Sequence, residues 1–190
     1  MLAEWLTYLL TPCPSHLRRM GYLREIIGTR SRYGRCHQAW ASHLENTRKS
    51  ILTAVKSVDS PETAVILGSG LLFDVPLTEL SQAFANVVLV DIFHMPSVRR
   101  SAARYPNVTL IAHDLSGTVN RLSKAGPIRF VPTPSGNLPG ADVDLLISAN
   151  VLSQLPHLPS LFLAQVRPDV SETALQEFAA SIVRHHLSQL

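Results

Sequence analysis

Hydrophobic positions divide the chain into two parts with different periodicities. Over residues 1–57, apolar side chains recur every three or four positions between charged ones, a spacing typical of amphipathic helices. The segment "SHLRRMGYLREIIGTRSRYG" predicts one such helix, ended by Gly28, and "HQAWASHLENTRKSILTAVKSV" predicts a second that ends near Asp59-Ser60-Pro61. Together they form a predicted N-terminal helical cap.

From residue 58 onward, short apolar runs alternate with helical patterns. The runs are rich in Val, Ile and Leu and lack polar alternation, as in strands covered on both faces: "TAVILG", "NVVLVDI", "NVTLIAHD" and "VDLLISAN". Helical patterns around "PLTELSQAF" and "PSVRRSAARY" separate them, and "GTVNRLSKA" is helix or loop. This order predicts an α/β fold with a parallel sheet of about four to five strands and right-handed crossovers.

The remainder of the second part is predicted as a loop followed by two helices. The segment "GPIRFVPTPSGNLPGAD" is rich in Pro and Gly and predicts a loop, with "IRFV" as a candidate short edge strand. The helices are predicted over "VLSQLPHLPSLFLAQVRP" and "SETALQEFAASIVRHHLSQL", and Ser171 is the candidate N-cap of the second.

Composition limits the class of protein. With 190 residues, 46% hydrophobic and 16% charged, the chain suits one globular core. Cys13 and Cys36 stand alone, without the spacing of a zinc site or a disulfide framework, so we expect free thiols, no metal and a cytoplasmic location. The opening "MLAEWLTYLL" is too short for a span and contains Glu4, so we expect neither a signal peptide nor a membrane partner.

Charge is distributed unevenly. Residues 1–56 hold nine Lys or Arg against three Glu, a net +6, whereas the formal total is +3. Two interpretations follow: a footprint for nucleic acid, or a solvated helix face with ordinary ion pairs. No nucleic-acid-binding motif accompanies the charge, which favours the solvated face.

Candidate chemistry lies at three successive predicted strand ends. Gly68-Ser69-Gly70 follows the first strand, where a doubly wound sheet turns toward its ligand and a Cβ would obstruct close approach. Asp91 ends the second strand, 21 residues after Gly70, and Asp114 follows the third. A carboxylate at the end of the second strand is placed to accept hydrogen bonds from ribose hydroxyls. Alternatively, the glycines form only a tight turn and the aspartates cap helices.

These features resemble class I S-adenosylmethionine-dependent methyltransferases over roughly residues 62–158. The resemblance implies a Rossmann-like domain over residues 58–190 that binds S-adenosylmethionine, with an acid for the ribose and an acid near the adenine amino group. It also implies a methyl-transfer site lined by the residues of "DLLISANVLSQLPHL" that follow the fourth strand. The implied cofactor-binding residues are Gly68, Ser69, Gly70, Asp91, Ile92, Asp114, Leu115 and Ser148.

Several residues depart from the family pattern. Ile66 stands where an acid is usual, with Asp74 as a candidate replacement, and Leu72 stands where a third small residue is usual. The N-P-P-aromatic motif of amino-directed nucleic-acid methyltransferases is absent, which disfavours adenine-N6 methylation of DNA. Only about four of the family's seven strands are legible. Either the domain is incomplete at its C-terminal end or the missing strands come from elsewhere, and the edge of the fourth strand is a candidate oligomer contact.

Residues near the strand ends are candidates for contact with a methyl acceptor, whose identity the sequence leaves open. Asn150 and His157 are the catalytic candidates. Each of these two, like His94 and His113, is individually better explained as a surface or capping residue. Trp40 and His43 lie one helical turn apart and are placed to close over a cofactor, although core packing is the simpler expectation for Trp40.

Two further functional classes stay open. A non-catalytic cofactor-binding or interaction module of the same fold is compatible with the altered glycine motif. A NAD-dependent oxidoreductase is disfavoured because Phe73 occupies the position of the third glycine of G-x-G-x-x-G, and no G-x-S-x-G elbow indicates an α/β-hydrolase.

Overall fold

The computed structural model describes residues 2–124, 131–136 and 142–190, which form helices packed on both faces of a parallel sheet. Three helices come first: α1 (Leu2–Leu10), α2 (Ser15–Arg19) and the 34-residue α3 (Tyr22–Val55). Alternating strands and helices follow, and two helices end the described chain. They are β1 (Thr63–Leu67), α4 (Leu77–Ala83), β2 (Asn86–Asp91), α5 (Pro96–Ala102), β3 (Val108–Ala112), α6 (Val119–Leu122), β4 (Leu145–Ser148), α7 (His157–Val166) and α8 (Glu172–Leu187).

The described strands are ordered β3-β2-β1-β4, and all neighbours are parallel. In the register, Val65 lies between Val88 of β2 and Leu146 of β4. The predicted α/β class and parallel sheet are confirmed, and the arrangement is consistent with a Rossmann-like fold. The order brings the carboxyl ends of β1, β2, β3 and β4 to one edge of the sheet, where the loops that follow them meet.

The sheet is covered on both faces, as its uniformly apolar strands require. On one face, residues of β1 and β2 such as Ile66 and Leu89 pack with Ile51 of α3 and Leu80 of α4. Beyond the other face, a second cluster joins Leu23 of α3 to residues of α5, α7 and α8. Among the residues described, no helix combines the length and apolar character needed to cross a bilayer.

The predicted end of the first helix at Gly28 is wrong. The break comes earlier, at Met20-Gly21, where Gly21 has φ 92°, and α3 then runs through both Gly28 and Gly34. A glycine inside a helix costs only about 1 kcal/mol relative to alanine, which tertiary packing readily offsets. Buried Leu23, Ile27 and Ile51 supply that packing along α3, which instead kinks at Cys36.

The predicted start of α8 agrees with the structure, whereas α7 begins at His157, six residues after the start predicted at Val151. The Ser171 hydroxyl caps α8 by accepting a hydrogen bond from the Ala174 backbone N–H at 3.2 Å, as predicted. The candidate edge strand "IRFV" lies mostly outside the described residues. The division between residues 57 and 58 stays a prediction.

Candidate functional site

The glycine turn lies directly beyond β1 and is tied to β2. Backbone N–H groups of Gly68 and Ser69 both donate to the Val90 carbonyl, at 2.8 and 3.2 Å. Gly68 has φ 70°, and a Cβ built on it would lie 2.4 Å from Cγ2 of Val151. This position therefore requires glycine because Val151, which follows β4, packs against the backbone there.

Asp91 ends β2 and faces the glycine turn. Its Oδ2 accepts from the Gly70 N–H at 2.7 Å, and its Oδ1 accepts from its neighbour's N–H, that of Ile92, also at 2.7 Å. Burial raises the pKa of the Asp91 carboxyl, while these N–H donors and His94 oppose the rise. Each carboxylate oxygen can accept about two hydrogen bonds, so capacity remains for a ligand.

Asp114 follows β3 and organises the start of α6. Its Oδ1 accepts from the N–H and hydroxyl of Ser116, at 3.0 and 2.6 Å, and its Oδ2 accepts from the Val119 N–H at 2.7 Å. These hydrogen bonds support the alternative that Asp114 caps a helix. Capping does not remove it from the site, because its side chain also borders the cavity described next.

A first cavity of about 270 Å³ opens at this edge of the sheet. It is lined by the ends of β1, β2 and β3, by the segment after β4, and by the first turns of α3. The predicted site residues that meet here are Gly68, Asp91, Ile92, Asp114, Leu115, Asn150 and His157.

A second cavity, of about 470 Å³, adjoins the first. Ser69 and Gly70 border it, together with Asp74 and, from α3, Trp40 and His43. We call the two adjoining cavities together the groove, and they share three lining residues. These are Gly68, Asn150 and Gln154.

Trp40 lies in the wall of the second cavity and not in the core, contrary to the simpler expectation. Its ring is half-buried and contacts Tyr33, with centroids 6.1 Å apart, and Tyr33 in turn stacks on Phe73 at 3.9 Å. A single aromatic layer thereby joins α3 to the loop after the glycine turn.

Two non-glycine residues beside the groove have left-handed backbone conformations. Leu72, where the family that the sequence resembles has a small residue, has φ 62°, and Asn150 has φ 56°. The Asn150 amide donates to Asp74 Oδ2 at 2.6 Å and to Thr47 Oγ1 at 3.1 Å. Such conformations cost about 1–3 kcal/mol and concentrate at functional sites. At Leu72 the turn thus has a backbone shape that glycine favours.

Some predicted residues lie away from the groove. The Ser148 hydroxyl lies 2.7 Å from Nε2 of buried His186, on α8, and Ser148 borders neither cavity. His94 is also buried, with Nε2 3.1 Å from the Ile111 carbonyl oxygen. His113 lines a separate surface cavity near α6. His157, by contrast, borders the first cavity, although it is exposed at the first position of α7.

Tyr22 is a site residue that the sequence analysis missed. It lines the first cavity from the first turn of α3. Burial raises its hydroxyl pKa above the usual value, and the nearby carboxylates of Asp114 and Asp91 raise it further. The available signal was Gly21, because a glycine directly before an apolar periodic run marks a helix start.

Among the residues that the structure describes, no three His, Cys, Asp or Glu side chains are grouped closely enough to hold a metal ion.

Comparison with protein-family models, curated proteins and solved structures finds no match to this chain. The case for function therefore depends on the geometry of the groove.

Proposed function

We propose that the protein binds S-adenosylmethionine in the groove and transfers its methyl group to an acceptor. One observation carries the proposal: Asp91 and Asp114, at neighbouring strand ends, border the same cavity as Gly68 of the glycine turn. Ligands of doubly wound sheets bind at this edge.

The residues present fit the cofactor in chemistry. Asp91 retains acceptor capacity for ribose hydroxyls, and Asp114 for an exocyclic amine. Ile92 and Leu115 supply apolar surface for a purine ring in the same cavity. Asp74, in the second cavity, is a candidate partner for the amino group of the methionine part.

Size and charge also agree with an extended, cationic ligand. Small-molecule sites usually have volumes of about 300–1,000 Å³, so the first cavity at about 270 Å³ suits part of such a ligand and the adjoining cavity provides room for the rest. The carboxylates along the groove favour a sulfonium. Gly68 agrees less well with close approach of a ligand to its backbone, because Val151 occupies the space beside its Cα.

When bound, the cofactor supplies an electrophilic methyl group. The protein's part in such a reaction is positioning and exclusion of water, which requires no catalytic triad. Asp91 and Asp114 would orient the ligand, and α3 would cover it with Tyr22, Trp40 and His43. Asn150 holds Asp74 in place through its amide.

Calorimetric titration with S-adenosylmethionine, S-adenosylhomocysteine and NAD tests this proposal. We expect heat with both adenosyl ligands and none with NAD. Asp91→Asn should weaken binding by about 1–3 kcal/mol, because one acceptor oxygen is lost. Asp59→Asn is the matched control, since Asp59 is exposed in the turn before β1 and borders neither cavity. An absence of heat with both adenosyl ligands would refute the proposal.

A non-catalytic module is the second candidate, favoured by one observation. The Asn150 side chain, a catalytic candidate, is already committed to Asp74 and Thr47. Incubating the protein with methyl-labelled cofactor and a cell extract separates the two candidates. Binding with transfer of label supports a methyltransferase, and binding without transfer supports the module.

A further inference from the structure

Helix α1 is amphipathic, but it turns its apolar face to solvent, whereas an ordinary surface helix buries that face. Leu2, Trp5, Leu6 and Leu9 follow the i, i+3, i+4, i+7 spacing of one helix face, and Leu10 borders it. This face is exposed to solvent: Leu2 is 74% exposed, Trp5 58%, Leu9 52% and Leu10 77%. None of the described residues of α1 is buried.

The other side of α1 packs against the protein through polar contacts. Arg18 of α2 donates to the carbonyls of Tyr8 and Thr11, both at 2.8 Å, and its guanidinium lies 4.7 Å from the centre of the Tyr8 ring. The Glu4 carboxylate lies 4.0 Å from the Arg35 guanidinium of α3. These contacts hold the helix with its apolar face outward, so the exposure is built into the fold.

The two helices that contact α1 are rich in arginine, and five of these arginines are exposed: Arg19, Arg24, Arg30, Arg32 and Arg35. Between residues 15 and 35, in α2 and the first part of α3, six arginines face one glutamate, Glu25. Both helices are joined to α1, α2 through Arg18 and α3 by direct packing. An exposed apolar helix with tryptophan and leucines, held by helices that carry exposed arginines, has the chemistry of a helix that lies in the headgroup region of an anionic bilayer.

We propose that α1 docks the protein on an anionic membrane surface, with Trp5 and the leucines in the interface and exposed arginines of α2 and α3 attracted to lipid phosphates. The helix lies along the bilayer and does not cross it. This departs from the expectation of no membrane partner, which considered only spanning and signal segments. A second copy is the weaker occupant, because a single nine-residue helix offers less than the roughly 800 Å² per partner of a standard interface.

Sedimentation of the whole protein with vesicles tests the proposal. One vesicle contains phosphatidylcholine with a quarter phosphatidylglycerol, and the other contains phosphatidylcholine alone. We expect co-sedimentation with the anionic vesicle, weakened by salt. Leu9→Gln should reduce the partition coefficient about fivefold or more, since a leucine side chain leaves the interface. Leu161→Gln, on α7 and 56% exposed, is the matched control and should bind as the wild type does.

A second measurement locates the contact. Lipids brominated along the acyl chain should quench part of the tryptophan fluorescence, and Trp5→Phe should abolish that quenching while Trp40 still emits. Protein that stays in the supernatant with both vesicles overturns the proposal, as does equal binding by the Leu9 and Leu161 variants. A dimer seen by light scattering, lost in Leu9→Gln without vesicle binding by the wild type, would also overturn it and assign the face to a second copy.

Discussion

Substituting Gly68 by alanine should destabilise the protein through two separable effects. The residue has φ 70°, and a left-handed conformation costs a residue with a Cβ about 1–2 kcal/mol. The new Cβ would also lie 2.4 Å from Cγ2 of Val151, and overpacking of this kind typically costs about 1–3 kcal/mol. We therefore expect Gly68→Ala to lower the free energy of unfolding by about 2–5 kcal/mol, measured by urea denaturation.

A double-mutant cycle separates the two effects. Val151→Ala removes the nearest atom but leaves the Val151 Cβ position 2.7 Å from the new methyl, so relief is partial. We expect the double variant to be about 1 kcal/mol more stable than additivity predicts.

Gly34→Ala is the matched control for the glycine substitution. Gly34 lies in α3 with open space around its Cβ position, and alanine there should stabilise by about 0.5–1 kcal/mol. An additive cycle, or a Gly68→Ala variant as stable as the wild type, would contradict the assigned packing of Val151 against the turn.

Two further predictions concern stability. Burial lowers the pKa of His94 and of His186 below the usual 6.5, so as pH falls below that value the unfolded state binds protons that the folded state does not, and stability should decrease. The midpoint of urea unfolding of the wild type should fall between pH 7.5 and pH 5.5. The fall should be less steep in His94→Gln and as steep as in the wild type in His37→Gln. An equal slope in all three proteins would exclude His94 as a cause. Removing the α8 cap with Ser171→Ala should cost about 1 kcal/mol in thermal unfolding, and Ser171→Asp should restore it. An equal loss in both Ser171 variants would argue against capping.

The sheet was predictable from sequence because its signal is local. A strand buried on both faces needs an uninterrupted apolar run, and β1 and β2 have one. The end of the first helix was not predictable in the same way. Gly28 and Gly21 are equally good local signals, and only the packing of Leu23 and Ile27 determines that the helix passes one and begins at the other.

The site was predictable where position along a strand determines it. Asp91 and Asp114 come at or just after strand ends, so they had to reach the same edge of a parallel sheet. Ser148 also ends a strand, but its hydroxyl is bonded to His186, 38 residues later in the chain. The contribution of Tyr22 likewise depends on where α3 crosses the sheet, which periodicity within one helix does not encode.

The length of α3 has a consequence for how the groove works. Residues from Tyr22 to Leu44 of this helix border both cavities, and at 1.5 Å per residue they extend over about 33 Å. The kink at Cys36 falls between the residues that line the first cavity and Trp40 in the second. The bend at Cys36 therefore sets the direction of the segment that carries Trp40 relative to the segment that carries Tyr22. One helix thus supplies walls to both cavities, and the local backbone at a single residue decides how its two segments are oriented.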